Sequence, residues 1–393
     1  MFTRMGAIPR VSSRLALVVA AAAGSLLTGA TEASAQAAEQ NPHIEELIEQ
    51  ARQEGSLYLN WSDYGDIIGD WVDGYLETYG LKGEIEVVHT PNPNGTAAFL
   101  QLEEEFSAGR PAHTDIMEGA ELRTALGISG FRRSGGFLAD IDYASLPNVA
   151  PAMVKGDGKT VVYAHIMPGI SYNTNTVAPE DLPKNIEDYT DPTFLNEYNV
   201  ASTGQASGFD FLFTEQTWGF ERACEFTTRL GAGIAGLIEP HEATRIASGE
   251  FDMLIFDQGL RPLQLAASGA PVAITYPEGY TFRRAQHFSI PENAEHKAAA
   301  QLFINYMLSP EAQQILYDKY RIDSHDRDGS LSAGTLAQVS EQTGTPTDID
   351  IAFIEQSYMD EIRPAIPLMR GMLTGEYGPD DCAGLAEQVK DGN

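Results

Sequence analysis

Basic residues are scarce. Lysine and arginine number 25 in 393 residues against 56 aspartates and glutamates, leaving a formal net charge of −31. That balance argues against nucleic acid as a partner, because phosphate backbones are held by clustered Lys and Arg. An anionic bilayer surface would repel the chain as well. Cysteine is nearly absent: Cys224 and Cys382 are the two present, 158 positions apart. An oxidising compartment would let them pair, but sequence alone does not bring them together. The alternative for Cys224 is a small buried apolar residue on a helix around Trp218–Phe226. No P-loop, GxSxG, HExxH or paired CxxC occurs, and Gly127–Gly130 has the wrong spacing for a nucleophile elbow. The eight histidines are scattered without a helical i, i+4 pair, so no metal site is expected from them. No cofactor is expected, and nothing in the chain compels an enzyme.

What is present begins with an address. Arg4, Arg10 and Arg14 precede an apolar run from Leu15 to Leu27, and Ala33-Ser34-Ala35 offers a small-residue cleavage site. Residues 1–35 therefore read as a secretory signal, cut after Ala35 or Ala37, and the run is too short for a membrane span. No Arg-Arg pair precedes the run and no Cys follows it, which favours general secretion over twin-arginine export or a lipid anchor. The mature chain is expected to be free in the periplasm.

From Ile44 onward, short β runs alternate with amphipathic helices, predicting α/β architecture with largely parallel sheets. Strands are expected at Ser56–Trp61, Glu84–His89, Thr114–Met117, Lys159–Pro168 and Ile170–Tyr172. A second set follows at Tyr198–Ala201, Asp252–Phe256 and Val272–Tyr276. Helices are expected at Ile67–Thr78, from Thr96 as cap to Ser107, from about Phe209, and at Lys297–Leu308. Ser309-Pro310-Glu311 opens another with a cap, a first-turn proline and an acid. Residues 325–350, rich in Ser, Gly, Thr and Asp, are expected as loop. Three segments end a strand and open a helix with small or polar residues: Asn94-Gly95-Thr96, Gln205–Gly208 and Asp257-Gln258-Gly259. Such helix starts expose N–H groups, and in open α/β sheets ligands sit beyond the carboxyl ends of strands.

These residues resemble an extracellular solute-binding protein of an ABC transporter, in the group that holds ferric-iron, thiamine, polyamine and phosphonate receptors. The likeness runs from about Ala51 to Tyr317. It is carried by Glu54-Gly55-Ser56-Leu57, by Gly169–Asn175 as a crossover, by Ala247–Asp252, and most specifically by Ala298–Gln313. The resemblance implies the class II periplasmic-binding-protein fold: two α/β lobes, a ligand cleft and two hinge crossovers. Lobe one would take residues 36–168 and lobe two 169–278, with 279–393 returning to lobe one and the tail wrapping it. A small solute and the ABC permease would be the partners, and the family suggests a monomer. Iron-binding relatives carry adjacent tyrosines where this chain has Asp257-Gln258-Gly259-Leu260-Arg261, so a tyrosinate iron site is disfavoured. An organic ligand bearing amine or polyol groups fits that carboxylate and amide better.

Loop position selects the candidate ligand contacts. Trp61 offers an aromatic wall or a cation–π face, followed by Asp63 and Tyr64. Glu118 and Gly119 follow the third expected strand, Tyr172 sits at the hinge, and Ser207 with Gly208 could present a hydroxyl and N–H groups. Asp257, Gln258 and Arg261 close the second-lobe strand, with Tyr276 and Tyr280 near the second crossover. Each position also has a plain packing or capping reading.

Overall fold

The computed structural model describes residues 41–60, 64–92, 95–129, 136–204, 208–239, 242–343 and 361–391. The expected signal segment lies outside these residues, as do Trp61, Asp63 and Ser207. No helix among the described residues is long and apolar enough to cross a membrane.

The first lobe opens with helix α1 (Pro42–Glu54). Asn41 accepts the N–H of His43, Pro42 starts the helix, and left-handed Gly55 ends it. Strand β1 (Ser56–Leu59), helix α2 (Ile68–Thr78) and strand β2 (Glu86–His89) follow, with β1 and β2 paired in parallel. Then come α3 (Gly95–Ser107), β3 (Met117–Ala120), α4 (Glu121–Ser129), β4 (Val154–Lys155) and β5 (Thr160–Ile166). Helix α3 starts one residue before the expected cap Thr96.

Beyond Met167-Pro168 lies the second lobe. It comprises β6 (Gly169–Asn173), α5 (Pro192–Glu197), β7 (Val200–Thr203), α6 (Phe220–Gly231), β8 (Gly236–Ile238), α7 (Thr244–Ala247), β9 (Met253–Asp257), α8 (Leu260–Ala267) and β10 (Val272–Thr275). The helix expected from Phe209 is instead a single 3-10 turn at Asp210–Phe213, and the long helix begins at Phe220. The chain returns through β11 (Arg284–Ser289), α9 (Lys297–Met307) and α10 (Pro310–Tyr320). The Ser309 hydroxyl accepts the N–H of Ala312 as the sequence predicts. Residues 331–343, expected as loop, form helix α11 (Leu331–Thr343). Asp323 anchors its start by accepting the N–H groups of Leu331 and Ser332.

Sheet order corrects one expectation. The second-lobe sheet runs β10-β6-β9-β7-β8 and the first-lobe sheet β3-β11-β5-β4. Only β1 with β2, β7 with β8 and β7 with β9 pair in parallel among the named strands. Strands β6 and β11 arrive from the opposite lobe, so they enter their sheets against the local direction and pair antiparallel on both sides.

Each lobe has its own apolar core. The first buries Trp71, Tyr75, Tyr163, Phe288 and most of α9; the second buries Phe209, Phe211, Phe226, Phe256 and Tyr280. The tail helices α12 (Arg363–Thr374) and α13 (Cys382–Lys390) belong to this second core, through Ile362, Leu368, Met369, Met372, Leu385 and Val389. The expectation that the tail wraps lobe one is therefore corrected: it packs on α6. Gly231 makes that crossing possible, because a Cβ there would lie 2.4 Å from the Met372 carbonyl oxygen. Cys224 of α6 and Cys382 of α13 are joined as a disulfide, with Cα atoms 5.7 Å apart. The chain thus changes lobe a third time: α10 belongs to the first-lobe core and α12 to the second.

Candidate functional site

The strand-end loops of both lobes carry the polar groups of interest. Strand β3 lies further along the chain than expected, because β11 pairs with Met117 through Ala120. Glu118 and Gly119 are therefore inside the strand rather than beyond it. The Glu118 side chain is buried, accepts the Tyr163 hydroxyl at 2.9 Å, and lies 3.6 Å from Nη2 of Arg123. Arg123 escaped the sequence reading. Its guanidinium crosses between Gly95 at the start of α3 and Gly119 in β3: a Cβ at Gly95 would meet Nη1 at 1.7 Å, and one at Gly119 would meet Nε at 2.6 Å. Two glycines thus make room for one cation, partly exposed, at the meeting of two strand-to-helix loops. The sequence signal for it was an arginine three residues past the strand in a chain poor in bases.

Tyr64 is buried with its ring edge-on to Trp71, Tyr163 and Tyr320, and its backbone is left-handed with φ of 60°. Phe256, at the corresponding strand end of the other lobe, has φ of 62°. Left-handed backbone at a bulky residue is costly and persists where packing enforces it; Phe256 is held by stacking on Phe209 at 4.6 Å.

Asp257 follows Phe256 and is 1% exposed. Its carboxylate accepts the Ser171 hydroxyl at 2.6 Å and the Gly259 N–H at 3.0 Å, tying the end of β9 to hinge strand β6. Gly259 is required here: its φ is 85°, and a Cβ would lie 2.5 Å from the Met167 carbonyl oxygen. Burial raises the Asp257 carboxyl to about 6, against the lowering effect of Ser171 and two backbone N–H groups. A raised carboxylate stabilises the fold below the unfolded value of 3.8, and that stability is lost as pH rises through about 6. The span corresponds to roughly 3 kcal/mol. Asp257→Asn is accordingly expected to gain on the wild type by about that amount between pH 4 and pH 8 in urea unfolding. A difference that does not move with pH would contradict this.

Gln258 is half-buried. Gly208 is buried, its carbonyl accepts the Tyr280 hydroxyl at 3.3 Å, and a Cβ would press on Thr203 at 2.5 Å. Tyr172 and Tyr280 belong to the second-lobe core, and Tyr276 packs with Met167, Ile274 and Leu336 at the hinge. Burial raises the hydroxyls of all three tyrosines. Arg261 is exposed on α8 and bonds Gln264 at 3.1 Å. Among the described candidates, the structure gathers Tyr64 and Glu118 around Tyr163, and Tyr172, Gly208 and Asp257 around β9. It places Arg261 apart from both groups, while Tyr276 lies near the second of them: its ring sits over Gly169, the partner of Asp257 in β6, and the Asp257 charge adds to burial in raising its hydroxyl.

Charged groups also fill the hinge. Arg284, at the start of β11, pairs with Asp210 of the second lobe at 3.5 Å, both nearly fully buried, and its guanidinium lies 5.2 Å from the Phe211 ring. Arg283 lies 3.9 Å from Asp326. His165 stacks on His325 at 4.9 Å and accepts the His325 backbone N–H at 3.1 Å. Burial, His325 and Arg283 hold His165 well below its usual value, so it is neutral.

A family profile described as bacterial extracellular solute-binding protein matches residues 129–334. No curated protein matches the chain. Several solved structures share the fold. The PBP MotA from A. tumefaciens B6, in complex with glucopine, is 18% identical with a TM-score of 0.58, covering 81% of this chain and 99% of its own. A substrate-binding protein of an ABC transporter from Agrobacterium tumefaciens is 15% identical with a TM-score of 0.64, covering 81% and 95%. Iron-bound HitA from Pseudomonas aeruginosa is 16% identical with a TM-score of 0.58, covering 85% and 99%.

Proposed function

Because the chain belongs to the bacterial extracellular solute-binding protein family, we propose that it is the periplasmic receptor of an ABC importer, which captures a small organic solute between its lobes and presents it to the permease. The observation that carries this is the pair of separate cores joined through β6 and β11, with polar strand-end loops on both sides of the hinge. Closure about the crossovers near 168/169 and 278/279 would bury the solute and create the surface the permease reads. The secretory leader at 1–35 and a monomeric mature chain complete the proposal.

Ligand chemistry follows from which charges are already engaged. Glu118 faces Tyr163 and Arg123, and Asp257 is tied to Ser171 and Gly259, so neither stands ready for an amine. Arg123 shares Glu118 through Nη2, but its guanidinium is part-exposed between two glycines and carries five N–H donors, which places it to receive a carboxylate of a polar, hydroxyl-bearing solute as well. That MotA binds glucopine supports such a class. The second reading is ferric iron, supported by the likeness to HitA; the absence of adjacent tyrosines at 257–259 speaks against it.

A thermal-shift screen of residues 36–393 with sugar acids, opine-type conjugates, polyamines, thiamine, phosphonates and ferric iron separates these readings. A carboxylate-bearing hit at roughly 100 times its Kd is expected to stabilise by about 2.7 kcal/mol, and Arg123→Gln should abolish the shift. A shift with iron alone would overturn the organic reading, and a polyamine hit would overturn the carboxylate.

A further inference from the structure

A cavity of about 630 Å3 lies between residues of the two lobes, and its lining includes Asp66 of the loop after β1 and Arg261 of α8. One wall is second-lobe α7 and α8, with Thr244, Arg261, Gln264 and Ser268; the other is the first lobe, with Asp66 and the end of α10 at Asp318, Lys319 and Arg321. Leu260, at the start of α8, packs against the first-lobe core, so this helix already touches the other lobe beside the cavity's Arg261.

Its charge is unusual for this chain. Three of the 25 bases line it, although acids outnumber bases by more than two to one overall. Lys319 is neutralised by Asp66 at 2.9 Å, and Asp66 also accepts the Tyr320 hydroxyl. Lys319 and Tyr320 hold the Asp66 carboxyl below its usual range despite partial burial. Asp318 accepts the Gln314 amide at 2.8 Å. The two arginines are different. Arg261 bonds only the neutral Gln264, and Arg321 lies over the Tyr317 ring at 5.4 Å; among the described residues neither reaches a carboxylate. Arg321 is the residue that ends α10, with a left-handed backbone at φ 61°. With 56 acids available, two arginines on opposite lobes facing one cavity without an acidic partner leave the guanidinium forks open for an incoming anion.

We propose that this cavity is a second binding site, separate from the solute cleft, for a small polyanion carrying carboxylate or phosphate groups. Arg261 holds one end of it from the second lobe and Arg321 the other from the first, with Lys319 and Gln264 beside them. An anion seated there ties the lobes together through charge-assisted hydrogen bonds, and so sets how readily they separate.

The test uses residues 36–393 with citrate and, separately, inorganic phosphate, each compared with sodium chloride at equal ionic strength. At roughly 100 times Kd, one of these anions is expected to raise the wild-type Tm by about 5 °C. The rise should vanish in Arg261→Gln/Arg321→Gln and persist in Arg123→Gln. Both substituted arginines are exposed, and the anion-free Tm of the double variant serves as the folding control; Arg261→Lys/Arg321→Lys should keep part of the shift. An equal rise in wild type and double variant would mean that the anion acts only by exclusion from the surface, and would overturn the site. So would loss of the rise in Arg123→Gln alone, which would place the anion in the solute cleft, or no rise with either anion.

Discussion

Replacing both cysteines, as Cys224→Ala/Cys382→Ala, is expected to lower the Tm by roughly 10 °C. The bridge closes a loop of 158 residues, for which the chain-entropy relation gives about 5 kcal/mol. The loss should be local before it is global. Helices α12 and α13 would retain their apolar contacts with α6, from Leu368, Met372 and Leu385, but without covalent attachment. Amide exchange over 363–390 in the reduced protein should therefore accelerate ahead of the first-lobe core. Unchanged protection of the tail after reduction would show that apolar packing alone holds it.

The second large effect is expected at the hinge. Arg284→Ala removes an ion-pair partner of a buried carboxylate, Asp210, and should cost about 3–5 kcal/mol in urea unfolding. Asp210→Asn should cost a similar amount, since it leaves the guanidinium buried beside Phe211. The combined Asp210→Asn/Arg284→Met variant is the informative one: with both charges gone and the volume kept, it should recover to within about 1–2 kcal/mol of the wild type. Single variants that each cost under about 1 kcal/mol would show the pair to be hydrated and of little weight. Because one charge comes from each side of the hinge, the singles should also weaken solute binding.

Legibility in the sequence followed the range of the interaction. Local signals were readable: Ser309-Pro310 capped α10, and the apolar runs at 160–166 and 253–257 became β5 and β9. Long-range pairing was not. Glu118, Gly119 and Ala120 have little strand tendency, and they are strand because β11 lies beside them. The Ser- and Gly-rich composition of 331–343 suggested loop, yet Asp323 nucleates a helix by capping its first N–H groups. The tail's attachment to α6 needed the facing of helices whose bridged cysteines are 158 residues apart, which no local pattern encodes. Site residues divided in the same way. Asp257 was visible as a strand-end acid, but its engagement by Ser171 depends on the register of β6, and Arg123 became interesting only once Gly95 and Gly119 were seen on either side of it.

The third passage between the lobes changes what a protease can do to this receptor. The disulfide closes a covalent circuit that runs from α6 through the hinge, around part of the first lobe and back to α13. A single backbone cut anywhere between Cys224 and Cys382 opens that circuit without dividing the molecule. The nicked protein would run as one band without reductant and as two with it, and in an oxidising compartment both lobes would stay on one particle. Survival after surface nicking is thus built into the connectivity of the chain, independently of how tightly the lobes pack.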